Sequence, residues 1–334
     1  MKKKRVHYLS LASVISSFAV VMLHTNGCFW RFSYERYWIT ANMIESVMYF
    51  AVPIFFMTSG ATLMDYRDRY TTKQYAIKRI QKTVIPFVIW SIIGIIYLLS
   101  MERWKIELSL KGIKDIIMSV LNINVIGIYW FFGALFSVYL CIPFLSTIPK
   151  NIRIKVFTYV IIVTFIFNSL LPFLNNVFNI GYANKITVPI GSEYIIYVLL
   201  GYVLHNVQLS KKKKGIIYLL SLMGLLMHTI GTQYLSFKAG QIVQTYKGYL
   251  NVPCILYSVG VFVLFKQIGE SIKNEKIISI LEKISGYTFS VYLLHWFVMD
   301  KMIVAWNLDT LSIVYRVGAP IIIFIICMYL CCMI

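Results

Sequence analysis

Long apolar stretches separated by short polar connections recur along the whole chain. Read in windows of about 19 residues, the scale used to detect membrane helices, the pattern predicts ten spans. Each is close to the ~20 residues that a helix needs to cross a bilayer. The predicted spans are 8–27, 44–64, 83–100, 128–148, 154–174, 190–208, 215–232, 249–268, 286–306 and 311–334. The sequence therefore predicts an all-α, polytopic membrane protein with a single membrane-embedded domain over 1–334.

The longest connection lies between the third and fourth predicted spans. Within it, residues 106–123 place apolar side chains at helical spacing among lysines. This pattern predicts an amphipathic helix lying in the membrane interface rather than an eleventh span. No connection is long enough to hold a separate soluble domain.

Composition and charge agree with this interpretation. The chain is 59% hydrophobic and 13% charged, against about 45–50% and 25% in soluble domains, which excludes a soluble monomer. The net charge of +19 suggests either nucleic-acid binding or basic cytoplasmic loops. With the N-terminus inside, Lys and Arg favour the inner connections by roughly two to one, which predicts an N-in, C-in topology. The bilayer then accounts for the charge, and we expect no nucleic-acid partner.

The N-terminus and the cysteines add two expectations. The basic run Lys2–Arg5 precedes the first span as in a signal peptide, but no small-x-small cleavage site follows the apolar run, so we expect a retained helix. The six cysteines show no CxxC pair and no histidine at metal-ligand spacing. We interpret them as packing residues and expect no metal.

Two histidines in apolar spans are candidates for chemistry, because polar groups in a bilayer are costly. His24 lies 19 residues after Arg5, at the outer end of the first span. It is either an interfacial residue in contact with water or a general base, since neutral imidazole can accept a hydroxyl proton near neutral pH. His295 lies at mid-depth in the ninth span. It is either a buried structural histidine or part of a substrate path.

Further polar groups are predicted at the outer ends of several spans. Glu45 begins the second span and Glu193 begins the sixth, and the same side is predicted to hold His228, Asp300 and Arg316. They could line one site or reach the interface separately. We take Glu45, Glu193 and His295 as candidates for a substrate path.

The connection before the third span is strongly basic. From Thr72 to Pro86, basic and apolar residues alternate at roughly helical spacing. One interpretation is an amphipathic helix on anionic lipid. The other is a phosphate site, because Arg79 and Lys82 are three residues apart and would share a helix face.

Six segments carry a resemblance to a known family. In order they are AVVMLH, FAVPIFFMTSG, KRIQKTVIPFVIW, YWFFGALFSVYLCIPFL, EYIIYVLLGYVL and YTFSVYLLH. Taken together, they resemble the acyltransferase-3 family of bacterial integral-membrane acyltransferases, which transfer acetyl or other acyl groups to cell-surface glycans. The subgroup of enterobacterial-antigen and adhesin-polysaccharide acyltransferases looks nearest.

The resemblance implies a multi-pass O-acyltransferase of a bacterial plasma membrane. Its donor would be cytoplasmic acyl-CoA, with acetyl-CoA as the first candidate. Its acceptor would be a hydroxyl of a cell-surface or lipid-linked polysaccharide. His24 matches the family's acyl-transfer histidine, and Arg79 with Lys82 matches a pair of arginines that would bind coenzyme A phosphates. A homo-oligomer stays open.

The chain departs from the family at three positions. Ser13 stands where the family usually carries a basic residue, Ser10 stands at an acidic position, and Lys82 replaces an arginine. These changes keep open an altered activity or a non-catalytic relative that binds another membrane protein. A different alternative is an exporter or flippase of lipid-linked glycan without acyl transfer, because the 24 Tyr and 7 Trp residues would suit sugar stacking as well as interfacial belts.

Overall fold

The computed structural model describes residues 6–105, 107, 109–191 and 193–333, so the basic run Lys2–Arg5 lies outside the described residues. The described residues form α-helices with short π and 3₁₀ segments and contain no β-strand. The α-helices are α1 (His7–Thr25), α2 (Arg36–Met48), α3 (Ala51–Leu63), α4 (Thr72–Arg79), α5 (Ile85–Ser100), α6 (Leu110–Leu121), α7 (Trp130–Leu145), α8 (Lys150–Thr164), α9 (Leu171–Phe178), α10 (Ile195–Asn206), α11 (Lys211–Leu226), α12 (Thr232–Ala239), α13 (Val252–Ser271), α14 (Glu275–Ser285), α15 (Thr288–Trp306) and α16 (Ile313–Met333). The all-α prediction is confirmed.

Nine helical stretches in the described part of the chain are long and apolar enough to cross a membrane. They are His7–Thr25, Arg36–Asp68, Thr72–Ser100, Gly127–Leu145, Lys150–Phe178, Lys211–Ala239, Val252–Ser271, Thr288–Trp306 and Ile313–Met333. The α-helix within the sixth predicted span, 190–208, is the short α10, whose 12 residues rise about 18 Å, against the ~30 Å of a hydrocarbon core. Ten spans and the N-in, C-in placement of the termini therefore stay predictions.

Several of the long helices are built from two α-helices joined by a π segment. The stretch Thr72–Ser100 passes from α4 through the π segment Ile80–Val84 into α5, where Pro86 follows. Proline lacks the amide hydrogen that a regular helix requires, so the hydrogen-bond register changes just before it. At the start of α4, Thr71 and Gln74 form a reciprocal capping box, which fixes where the helix begins. The basic residues of this segment thus lie on a helix with a local irregularity.

The chain groups into two compact units. The first comprises the residues through Ala61 and those from Arg153 onwards. Within it, α1 packs against α13, α14, α15 and α16, so the first helix is surrounded by the last ones. Helices α3 and α10 also approach closely, since a Cβ added to Gly201 would lie 2.0 Å from the carbonyl oxygen of Met57. A side chain at this position would push the two helices apart.

The second unit comprises Thr62–Ile152. Its aromatic core includes Phe87 and Phe132, whose ring centroids are 4.8 Å apart. The Asp68 carboxylate and the Lys150 ammonium form an ion pair in this unit. The prediction of one domain over 1–334 is neither confirmed nor contradicted by this grouping.

The predicted amphipathic segment also belongs to the second unit. Its described part forms α6, and residues 106 and 108 lie outside the described residues. The exposed apolar side chains recur every three or four residues, at Leu110, Ile113, Ile117 and Leu121. The amphipathic helix is confirmed, while its position in the membrane interface stays a prediction.

Candidate active site

His24 lies in the last turn of α1, and the fold brings it against His295 of α15. His24 Nδ1 is 2.7 Å from His295 Nε2. The two rings are nearly parallel, at an angle of 18° with centroids 4.9 Å apart. The two candidate histidines, 271 positions apart in the sequence, therefore form one hydrogen-bonded pair. Neither alternative for His24 anticipated a histidine partner.

His295 is fully buried behind His24. Its side chain has 0% exposure, and its Nδ1 lies 3.1 Å from the carbonyl oxygen of Val291, one turn earlier in α15. Both ring nitrogens of His295 thus have partners, as a buried polar group requires. His295 is thus a buried histidine held by hydrogen bonds, which is one of the two interpretations from the sequence. Its hydrogen bond to His24 also links it to the candidate general base.

A cavity of about 260 Å³ lies beside His24. Drug-sized ligands occupy pockets of about 300–1,000 Å³, so this cavity suits one small group rather than a polymer. Arg31, an exposed residue, supplies a positive charge to its wall. The lining residues come from the end of α1, the segment after it, α15, the connection between α15 and α16, and the start of α16: His24, Thr25, Gly27, Cys28, Arg31, Met299, Ile303, Thr310, Leu311 and Tyr315.

Glu45 belongs to a buried polar cluster rather than to the lining of this cavity. Asn26, two residues after His24, donates a hydrogen bond from Nδ2 to the Ala41 carbonyl oxygen at 2.8 Å and to Glu45 Oε2 at 3.3 Å. Glu45 is only 3% exposed. These bonds tie the end of α1 to α2, so Glu45 contributes to the position of the chain next to His24.

Lys247, in the connection before α13, provides the positive charge opposite Glu45. It is 1% exposed, and its Nζ lies 3.2 Å from Ser46 Oγ and 4.5 Å from the centroid of the Phe29 ring. Burial lowers the pKa of Lys247 to about 8, and the Glu45 carboxylate acts in the opposite direction. A buried carboxylate needs such a compensating charge. The sequence did not single out Lys247.

The remaining outer-end candidates are dispersed. Glu193 is exposed in the turn before α10 and has a left-handed backbone with φ of 54°. Arg316 is buried and donates from its two Nη atoms to the Tyr37 carbonyl oxygen at 3.1 Å and to Thr40 Oγ1 at 2.9 Å. His228 is buried on the π segment Met227–Gly231. The structure brings His24 and His295 together and links Glu45 by a hydrogen bond to Asn26, which follows His24 by two residues. It does not bring Glu193 to the cavity.

Arg79 and Lys82 lie in the second unit, in different surroundings. Arg79 ends α4, and its guanidinium lies over the rings of Tyr75 and Tyr139 at 5.7 Å and 5.2 Å. Its Nε is buried and has no hydrogen-bond partner among the described residues. Lys82 lies in the π segment and is exposed. Of the two predicted phosphate ligands, Arg79 thus packs against aromatic rings, and Lys82 is exposed at the protein surface.

Ser13 and Ser10, which stand where the family usually carries charged residues, both form hydrogen bonds. Ser13 Oγ donates to the Leu9 carbonyl oxygen of α1 at 2.9 Å. Ser10 is buried, and its Oγ lies 3.2 Å from Ser285 Oγ of α14. The hydrogen-bond partners of both hydroxyls are uncharged groups. These positions lie 11 and 14 residues before His24 on α1, and Ser10 packs there against α14.

Sequence reasoning identified both histidines but not their pairing or the other residues at the cavity. Arg31 follows the first predicted span, Thr310 directly precedes the tenth and Tyr315 lies in the first turns of the tenth, and none of them belongs to a motif. Their only sequence signal was proximity to the outer end of a predicted span. The contact across α1, α15 and α16 could be found only after the helices were packed.

Comparison with known proteins assigns the family. A family model described as an acyltransferase domain, Acyl_transf_3, matches residues 6–332. No curated protein and no solved structure gives a significant match. The match extends over nearly the whole chain, including the histidine pair, and agrees with the set of apolar helices expected of a multi-pass membrane protein. The chain therefore belongs to the acyltransferase-3 family, the family of membrane acyltransferases that its six ordered segments resemble.

Proposed function

We propose that this protein is a membrane O-acyltransferase that moves an acetyl or other small acyl group from acyl-CoA to a hydroxyl of a cell-surface or lipid-linked polysaccharide. One observation carries the proposal. His24 lines the cavity, and its Nδ1 is hydrogen-bonded to His295 Nε2 at 2.7 Å. The second ring nitrogen, Nε2, is then available to a substrate. A general base must be within hydrogen-bond reach of the proton that it removes, and a cavity beside the ring provides that access.

The reaction follows from this arrangement. His24 Nε2 accepts the proton of the acceptor hydroxyl while the oxygen attacks the thioester carbonyl carbon. The new C–O bond forms, the C–S bond breaks, and the coenzyme A thiolate leaves. The imidazolium of His24 returns the proton to the thiolate, so His24 is neutral again at the end. General base catalysis of this kind contributes roughly 10²–10⁴-fold.

The donor would be bound through its phosphates. Arg79 and Lys82 are our candidates, together with the other basic residues near α4. The position of Arg79 at the end of α4, three residues before the exposed Lys82, supports this role, because a guanidinium can bind phosphate oxygens through two parallel hydrogen bonds. Lys82 keeps a positive charge but lacks the planar fork of arginine.

The acceptor would enter the cavity beside His24. With a volume of about 260 Å³, the cavity would admit one terminal sugar rather than a chain of sugars. Arg31 in its wall favours an acceptor with a negative charge next to the reacting hydroxyl. In this proposal the protein is a multi-pass component of a bacterial plasma membrane, with the cavity facing the side where glycans are exported.

The proposal is tested in cells that lack the chain and are complemented with variants. Mass spectrometry of the surface glycans measures their acylation. Wild-type protein and His205→Ala, which replaces a histidine remote from the cavity, should restore acylation, whereas His24→Ala should not. Acylation by His24→Ala equal to that of the wild type would overturn the proposal. Loss of the polymer itself in the deletion strain would favour an exporter or flippase instead.

A further inference from the structure

The hydrogen bonds behind His24 fix the positions of two protons. A carbonyl oxygen can only accept, so the 3.1 Å contact between His295 Nδ1 and the Val291 carbonyl oxygen requires a hydrogen on Nδ1. A neutral imidazole carries one hydrogen, so Nε2 of His295 is then an acceptor. His295 is 0% exposed, and burial favours the neutral ring because an ionised ring would lose its hydration.

The state of His24 follows from that of His295. Its Nδ1 lies 2.7 Å from an acceptor nitrogen and must donate. In neutral His24 the hydrogen is therefore on Nδ1, and Nε2 carries the lone pair. His24 lines the cavity, and a flip of its ring would put Cδ2 in the place of Nδ1 and break the hydrogen bond to His295.

We propose that His295 is a positioning residue that accepts the Nδ1 hydrogen of His24 and so holds His24 in the tautomer whose Nε2 lone pair faces the cavity. The proposal rests on the proposed function insofar as His24 is the base. After His24 takes a proton, the hydrogen bond from its Nδ1 to His295 becomes charge-assisted and stronger. The third group of a catalytic triad orients a histidine in the same sense. Here a neutral imidazole, itself fixed by a backbone carbonyl, takes that place.

The first experiment measures the tautomer directly and does not depend on activity. The full chain has five histidines, so ¹⁵N-histidine-labelled protein in lipid nanodiscs should give few ring-nitrogen signals, and His24→Gln identifies those of His24. We expect a protonated Nδ1 and an unprotonated Nε2 in the wild type, and the same in His295→Gln, whose side-chain oxygen can accept where Nε2 did. His295→Leu should give a mixture. A wild-type His24 protonated on Nε2 would overturn the proposal.

The second experiment measures kinetics in membrane vesicles with acetyl-CoA as the donor. His295→Leu should lower kcat by at least about 10-fold, within the roughly 10⁴-fold loss known for a catalytic histidine held in the wrong tautomer, while the KM for acetyl-CoA stays unchanged. His295→Gln should recover most of kcat. His228→Leu, the same substitution at another buried histidine, is the matched control and should stay within about threefold of the wild type.

The outcomes separate this proposal from the proposed function. Equal kcat values for His295→Leu and wild type, or an equal loss in the Gln and Leu variants, would exclude a positioning role. If His24→Ala kept full acyl transfer while the wild-type spectrum showed the Nδ1 tautomer, the hydrogen-bonded pair would stand and the assignment of His24 as the base would fail.

Discussion

The two ends of α1 each carry a buried or half-buried contact to a histidine, with different consequences. At one end His24 bonds to His295 and lines a cavity. At the other end the Tyr8 hydroxyl lies 2.5 Å from His205 Nδ1 of α10. Lys266 of α13 closes that end by donating to three carbonyl oxygens, those of Leu204 and His205 at 2.9 Å and that of Val207 at 3.2 Å.

The two ends differ in whether a polar group remains available to bind a substrate. The donors of the Tyr8 end point at protein acceptors, which fasten α1 and α13 to the end of α10. At the His24 end, one ring nitrogen is used for orientation, and the other is next to open space. A histidine in an apolar helix is therefore a candidate for catalysis when it lines a cavity, as His24 does. It is a candidate for a role in stability when it lies among hydrogen bonds that join helices, as His205 does.

The largest expected effect tests this contrast directly. His24→Ala should reduce acyl transfer by roughly 10²–10⁴-fold, the range of general base catalysis, a loss far larger than the loss of folded protein caused by removing its hydrogen bond to His295. His205→Ala should do the opposite, with activity per folded molecule within about threefold of the wild type and a lower unfolding temperature. Similar losses of activity in both variants would remove the distinction between the two ends.

Removal of the lysine at the Tyr8 end should cost stability. Lys266→Met leaves three carbonyl oxygens of the α10 end without their donor, and we expect a loss of about 1–3 kcal/mol in the free energy of unfolding. The kcat of the molecules that remain folded should not change. Lys276→Met, at an exposed lysine of α14, is the control for loss of a positive charge, and an equal destabilisation by it would contradict the capping role.

A smaller effect is expected from the tyrosine. Tyr8→Phe removes one hydroxyl and leaves the ring packed against Phe262, whose centroid is 5.9 Å away. The lost hydrogen bond to His205 should reduce the free energy of unfolding by about 1 kcal/mol, measured by thermal unfolding in detergent. A loss of acyl transfer larger than the loss of folded protein would mean that this end of α1 also takes part in the reaction.

The smallest expected effect concerns the choice of acceptor. Arg31→Gln removes the exposed charge in the cavity wall and should lower glycan acylation in complemented cells by about two- to fivefold, the size of a partly solvated charge contact. Arg36→Gln, at an exposed arginine that begins α2, should leave acylation unchanged. Equal acylation in the Arg31 variant and the wild type would mean that the acceptor carries no charge near the reacting hydroxyl.

Much of the helix content could be predicted because each long helix satisfies its backbone within a single apolar stretch. The π segments before Pro86 and Pro172 were missed, although they merely interrupt helices whose positions were predicted. The count of ten spans is unconfirmed because the sixth predicted span, 190–208, is apolar enough to cross a membrane but its α-helix covers only Ile195–Asn206. Local hydropathy does not distinguish a short helix preceded by irregular backbone from a full span.

The site was predicted residue by residue but not as an assembly. His24 and His295 could be singled out because a titratable ring in an apolar helix is costly. Glu45 was singled out for the same reason, yet its role depends on Asn26 and Lys247, which lie on other segments. Whether a polar side chain lines a cavity or balances a buried charge depends on neighbours that are distant in sequence.

The sequence by itself determined the all-α membrane architecture, the family and the identity of the two histidines, because hydropathy and short ordered motifs are local properties. Only the tertiary structure decided that His24 and His295 share a hydrogen bond, that the Val291 carbonyl oxygen fixes the hydrogen of His295, and that His24 lines a cavity. Those properties arise where α1 packs against α15 and α16, and contacts between helices so far apart along the chain leave no periodic signal in the sequence.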